Sequence, residues 1–242
     1  MATLRAVFFD AAGTLFDARE PVGDTYARIA RQYGIDASDE AVTAGFRAAF
    51  GAAPELAFGP GHSAAQLRNK EREWWRAVVA RSFEGLGRFS DFNAFFETLF
   101  AYFADPAHWR ADPEAVPALE RLKDSGLRLG VISNFDFRLY EILQELGLSA
   151  IFDSVTISSE AGYAKPRGEV FAVALARHGV RPTEAMHVGD SHRLDFEASH
   201  AVGMRAVLLD PGLDVPTNIG DRKARIRSLA YLKEVTQVLG SA

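Results

Sequence analysis

Four short segments of this chain carry residue types that can act together on a phosphate and a divalent cation. Asp10-Ala11-Ala12-Gly13-Thr14 offers a carboxylate, a glycine turn and a hydroxyl. Ser133-Asn134 offers a hydroxyl and an amide, and Lys165-Pro166 an ammonium. Gly189-Asp190-Ser191, with Asp195 close behind, adds one or two further carboxylates. Carboxylates form the oxygen cage that a hard cation such as Mg²⁺ takes. Lysine and hydroxyls offset the charge of phosphate oxygens, and a carboxylate placed opposite them can act as a nucleophile.

These segments need elements that bring them together. Apolar runs occur at Ala6–Phe9, Leu127–Ile132, Ser154–Ile157, Met186–Val188 and Arg205–Leu209. Short, near-continuous apolar runs are how strands buried on both faces of a parallel sheet read. Helical spacing separates the later runs. Val116, Leu119 and Leu122 mark a helix over Ala115–Ser125; Leu139, Ile142, Leu143 and Leu146 mark another over Arg138–Leu146, stopped by Gly147. Val170–His178 and Asp195–Val202 follow the same pattern, with Asp195 also suited to cap the helix it begins. The alternation predicts an α/β fold with a doubly wound, mainly parallel sheet. Ligands of such sheets bind at the carboxyl ends of the strands, where the chemistry-bearing segments fall.

The stretch after the first strand differs. Pro21–Tyr33, Asp39–Phe50, Ser63–Phe83 and Asp91–Phe103 all read as helices, and no convincing strand intervenes. This predicts an inserted all-helical domain over 17–103, and a core built from 1–16 plus 104–242. Within the core, Pro211–Arg227 reads as a loop and Leu229–Leu239 as a last amphipathic helix.

Composition narrows the function classes. Of 242 residues, 48% are apolar and 24% charged, which suits a globular chain rather than a disordered one. With no cysteine, disulfides and thiolate metal sites are excluded. The net charge of −5 and the absence of a basic block argue against a nucleic-acid partner. No apolar run nears the roughly 20 residues that span a bilayer, and Met1–Phe9 lacks a signal-peptide cleavage site. A cytoplasmic chain with no membrane partner is expected, as a monomer or homodimer.

In order, the four segments resemble the four motifs of the haloacid dehalogenase-like (HAD) hydrolase superfamily. The helical block stands where that superfamily's first type of cap is inserted. Asp10–Phe16, Pro21-Val22-Gly23 with Tyr26, Trp74-Trp75, Ser133–Asp136 with Arg138-Leu139, and His187–Ser191 further resemble its domain-containing protein 3 group. The resemblance implies a Mg²⁺-dependent hydrolase of small phosphorylated molecules with a Rossmann-like core and a helical cap. It implies that Asp10 attacks phosphorus to form an aspartyl-phosphate, that Thr14 orients the loop, and that Lys165 neutralises nucleophile and transferring group. Ser133 and Asn134, with Lys165, would hold phosphate oxygens. Asp10, the backbone carbonyl of Ala12, Asp190 and Asp195 would hold the metal, Asp195 either through water or by pairing with Lys165.

One position departs from the pattern. Phosphatases of the superfamily read Asp-x-Asp-Gly-Thr, and the second Asp is their acid and base; here it is Ala12. General acid–base help is worth about 10²–10⁴-fold, so weak turnover is expected, least so for good leaving groups. Asp17 and Tyr26 are substitute bases by sequence proximity alone. Two other readings follow. A 2-haloacid dehalogenase also lacks the second Asp, but reads Asp-Ala-Tyr-Gly-Thr, needs no metal and lacks the counterpart of Asp190. A chain that binds a phosphate ligand or a partner without turnover would have no need of Asp10, Lys165 and Asp190 together. Core packing is the expectation for His187, Trp74 and Trp75.

Overall fold

The computed structural model describes residues 3–241; Met1, Ala2 and Ala242, included in the expected core range, lie outside them. The chain begins with β1 (Ala6–Phe9) and the short β2 (Phe16–Ala18). Helices α1 (Val22–Arg31), α2 (Asp39–Gly51), α3 (Ala64–Ser82) and α4 (Phe92–Ala104) follow. Then come β3 (Trp109–Ala111), α5 (Ala115–Asp124), β4 (Arg128–Ser133), α6 (Arg138–Glu145), β5 (Ser154–Ile157), α7 (Ser158–Ala161) and α8 (Gly168–His178). The chain closes with β6 (Ala185–Gly189), α9 (Ala198–Ala201), β7 (Arg205–Leu209), β8 (Thr217–Ile219), β9 (Lys223–Ile226) and α10 (Leu232–Ser241).

Seven strands form one sheet in the order β5-β4-β1-β6-β7-β9-β8. Every pairing is parallel except β9 with β8 at one edge. Numbered by chain order, the parallel strands run 3-2-1-4-5-6, so the strand order reverses at β1. That reversal is the switch point at which open α/β sheets bind ligands. Alternate residues of β1 enter two separate cores. Val7 and Phe9 pack with Leu119, Leu122, Leu232 and Val235 on one face. Ala6 and Phe8 pack with Val170, Phe171 and Ala174 on the other. Gly130 lets Phe8 lie against β4, since a Cβ there would come within 2.7 Å of the Phe8 ring.

The helical stretch is built on aromatic packing. Helix α4 buries Phe95, Phe96, Leu99 and Phe103, and α3 starts with a Ser63–Gln66 capping box. The antiparallel ribbon of β2 and β3, with Ala18 opposite Trp109, lies where the chain enters and leaves these helices. The expected helical range of 17–103 thus starts inside that ribbon and ends one residue short of the end of α4.

Three expectations need correction. Pro211–Arg227 is not all loop: β9 pairs in parallel with β7, with Val207 opposite Ala224. Ala224 and Ile226 are buried while Lys223 and Arg225 face outward, so this four-residue strand, next to the edge strand β8, alternates rather than forming an apolar run. Second, β2 places a strand at the start of the supposedly strand-free stretch, held by the partner β3 rather than by its own sequence. Third, the segment after β6 is a π-helical turn over His192–Glu197 before α9, and Ser191, not Asp195, caps it. Among the described residues, no helix is long and apolar enough to cross a membrane.

Candidate active site

Asp10 follows β1 directly and donates its N–H to the Val188 carbonyl of β6 at 2.9 Å. The chain then turns sharply. The N–H groups of Thr14, Leu15 and Phe16 converge on the Ala11 carbonyl at 3.2, 2.8 and 3.3 Å, and Gly13 N–H donates to the Phe16 carbonyl at 2.9 Å. The turn's own hydrogen bonds thus use the carbonyls of Ala11 and Phe16, not that of Ala12. Gly13 has φ +87°, and a Cβ there would meet Asp190 Oδ2 at 2.6 Å. Only glycine meets both demands. The buried Thr14 hydroxyl donates to Asp190 Oδ1 in a long 3.5 Å contact, which ties the first motif to the last.

Beneath Asp10 lies a chain of buried charges. Lys165 Nζ sits 2.7 Å from Asp10 Oδ1 and 2.6 Å from Asp195 Oδ1. His187 Nε2 donates to the same Asp195 oxygen at 2.8 Å, and the Ser191 N–H donates to Asp195 Oδ2 at 3.1 Å. Asp195 and His187 are fully buried, and the Asp10 side chain is 14% exposed. Burial alone would lower the Lys165 ammonium, but the charges of Asp10 and Asp195 outweigh it and raise it above the ordinary lysine range. For Asp195, burial works upward, yet Lys165 and His187 prevail and hold the carboxyl well below the usual range. For Asp10, burial prevails over Lys165 and pushes the carboxyl up. Burial lowers His187, so the ring is neutral and donates through Nε2.

Several expected residues therefore meet. Asp10, Thr14, Lys165, Asp190 and Asp195 share one site. Of the two roles left open for Asp195, its hydrogen bonds place it on Lys165. Asn134 is corrected in part: its Nδ2 donates to the Lys165 carbonyl at 2.8 Å and its Oδ1 accepts from Lys165 N–H at 2.7 Å. The Asn134 side chain thus clamps the lysine's backbone instead of waiting for a phosphate. Ser133 ends β4 in a buried position, on the strand beside β1. Asp17 is exposed on the ribbon. Tyr26 is buried among Phe46, Phe83 and Phe103, and burial holds its phenol well above the ordinary tyrosine range, which removes it as a base.

The carboxylates of Asp10, Asp190 and Asp195 offer oxygens all within 4.8 Å of one another. Partial loss of surrounding water, although Asp190 itself stays exposed at the mouth of the site, then the charges of Asp10 and Asp195, push its carboxyl up to about 6. Asp195 already accepts from Lys165, His187 and Ser191, so the hard oxygen donors of Asp10 and Asp190 are the ones that fit Mg²⁺.

A second polar cluster joins the helical stretch to the loop after β4. The fully buried Asp136 accepts from Arg138 Nε at 2.9 Å, from Arg138 Nη2 at 2.6 Å and from Trp75 Nε1 at 2.5 Å. The Arg138 guanidinium lies 4.4 Å from the Phe100 ring centre and 5.0 Å from that of Trp75. Trp75 is thus a polar tie as well as packing. The signals for this cluster and for His187 are a polar residue in an apolar strand and an acid two residues before an arginine.

A model of the haloacid dehalogenase-like hydrolase family matches residues 4–203. This chain belongs to that family. The human haloacid dehalogenase-like hydrolase domain-containing protein 3 is 36% identical over 211 residues, covering 85% of this chain and 82% of that protein. Among solved structures, a HAD phosphatase from Thermococcus onnurineus superposes with a TM-score of 0.65 at 26% identity, over 96% of this chain and 97% of its own. A 2-haloacid dehalogenase from Pseudomonas syringae pv. Tomato DC3000 does so with 0.60 at 25% identity, over 97% and 99%. The family scaffold hosts both chemistries, so the residues at the site must decide between them.

Proposed function

We propose that this family member is a Mg²⁺-dependent phosphoric monoester hydrolase that acts on a small phosphorylated metabolite through Asp10. The observation that carries the reading is Lys165, held between Asp10 and Asp195 at 2.7 and 2.6 Å beside the further carboxylate of Asp190. With Oδ1 bonded to Lys165, Asp10 keeps Oδ2 for attack. The Oδ2–phosphorus bond forms as the bond from phosphorus to the leaving oxygen breaks. Water then cleaves the aspartyl-phosphate, releasing phosphate and restoring the carboxylate. Lys165 holds a fixed charge against the transferring group in a dry site, where such charge acts most strongly. Asn134, Asp195 and His187 keep that lysine in place. Asp10, Asp190 and the Ala12 carbonyl would hold the metal, which when bound offsets the charge of nucleophile and phosphate.

Ala12 sets the rate. No side chain there can protonate the departing oxygen or activate the water, so esters with good leaving groups react fastest and the second step is slow. The dehalogenase reading leaves Asp190 and its contact with Thr14 without a use. Hydrolysis of an aryl phosphate with and without Mg²⁺, beside Asp10→Asn, tests the proposal. Metal-dependent release that disappears in the variant supports it. Absence of release with good leaving groups, with chloride release from 2-chloropropionate, contradicts it.

A further inference from the structure

A cavity of about 80 Å³ lies inside the helical stretch, walled by Val79, Phe96, Leu99 and Phe100 among others. Its remaining lining comes in part from the catalytic side. Phe135 follows Ser133-Asn134, the segment that ends β4 and clamps Lys165. Trp109 sits on β3, opposite β2, and its ring meets Phe16 of the Asp10 turn edge-on at 5.5 Å. The cavity therefore adjoins the loop that follows Ser133-Asn134, and only the Trp109 side chain separates it from Phe16, where the Asp10 turn runs into β2.

The lining is almost wholly apolar. Its one charged side chain, Arg138, is already paired twice with Asp136. Tyr26 also lines the space; it is 2% exposed, and its hydroxyl has no hydrogen-bond partner among the described residues. An apolar cavity of roughly 150 Å³ holds a benzene ring. About half that volume holds a chain of three or four carbons and no ring.

Resting on the reading of Asp10 as a phosphate-directed nucleophile, we infer that this cavity binds the organic part of the substrate, and that this part is a short aliphatic group. The class is then a phosphorylated C3–C4 aliphatic metabolite rather than a nucleotide or a sugar phosphate with a full ring of hydroxyls. Polyhydroxylated groups would lose water to a wall that offers only the Tyr26 hydroxyl in return.

The test uses non-hydrolysable probes, so that it does not depend on turnover. Inorganic phosphate and straight-chain alkylphosphonates from methyl to octyl are titrated into the full chain in Mg²⁺ by calorimetry. Affinity is expected to rise about three- to fourfold per methylene up to propyl or butyl, as burial of each methylene provides, and then to level off. Leu99→Trp, which fills the cavity, should end the rise at a shorter chain. Should that variant not fold, Val79→Leu takes its place. A flat series in the wild type, with phosphate itself bound, overturns the cavity assignment and leaves the nucleophile reading intact. Failure of phosphate and of every phosphonate to bind overturns both.

Discussion

The two halves of the site are built on opposite principles. At the strand ends, position is fixed by charge: Asp10, Lys165, Asp195 and His187 form an unbroken chain with neighbours 2.6–2.8 Å apart. Over them, the helical stretch fixes position by aromatic packing and leaves an empty apolar space beside Phe135 and Trp109. A chain of buried charges tolerates no substitution, because removing one partner leaves another unpaired in a dry place. An aromatic shell tolerates repacking at moderate cost. If the proposed function holds, the division would let one part of the molecule keep a reaction while the other sets what is admitted.

The sharpest way to break this contrast is at Lys165. Lys165→Met leaves Asp10 and Asp195 as unscreened like charges, so kcat on an aryl phosphate is expected to fall about 10³-fold, with a lower Tm. A fall below tenfold would show that the charge chain is not the rate-setting element. Next is the tie between the halves. Asp136→Asn leaves the Arg138 guanidinium buried with no counter-charge, a loss on the order of 3 kcal/mol in denaturant unfolding; an unchanged midpoint would make the cluster incidental.

Ala12→Asp supplies the missing acid and base, and turnover is expected to rise roughly 10²-fold. No gain would mean that another group already fills the role. A smaller effect comes with pH. Protons and Mg²⁺ compete for Asp190, whose carboxyl stands at about 6 without metal. Mg²⁺ affinity by calorimetry should therefore be level above pH 6 and fall about tenfold per unit below it. The smallest effect concerns Glu71 on α3. It is 1% exposed and, among the described residues, neither oxygen has a hydrogen bond of good geometry; burial, working against weaker contacts with Ser159 and the Phe137 backbone, raises its carboxyl. A raised carboxyl makes the folded state bind the proton more tightly, so stability falls as pH climbs through the folded value. Glu71→Gln should gain about 1 kcal/mol at pH 8 and nothing at pH 4, read from unfolding curves at the two values.

Most of the strand-end site was legible in the sequence because its parts are local: Asp10, Ser133 and Asp190 each stand at or just past the end of an apolar run that reads as a buried strand, while Lys165 comes only after α7 and a loop. The parallel sheet and the four long helices follow from the same periodicity. What escaped depends on partners far along the chain. Strand β9 is recognisable only beside β7, and β2 only beside β3. Asn134 looked like a phosphate ligand until the fold brought it to the backbone of Lys165, 31 residues away. His187 looked like strand filling until the π-helical turn carried Asp195 back over it.

In the proposed reaction Asp10 becomes phosphorylated and, with Ala12 in the second position, is slow to lose the group. Rapid acid quench of the wild type with acetyl phosphate and Mg²⁺, followed by mass analysis of the peptide containing Asp10, reads this directly. The mass of one phosphoryl group on Asp10 is expected to accumulate in the first turnover, and much less of it in Ala12→Asp. Product formed at a steady rate with Asp10 never modified would contradict it.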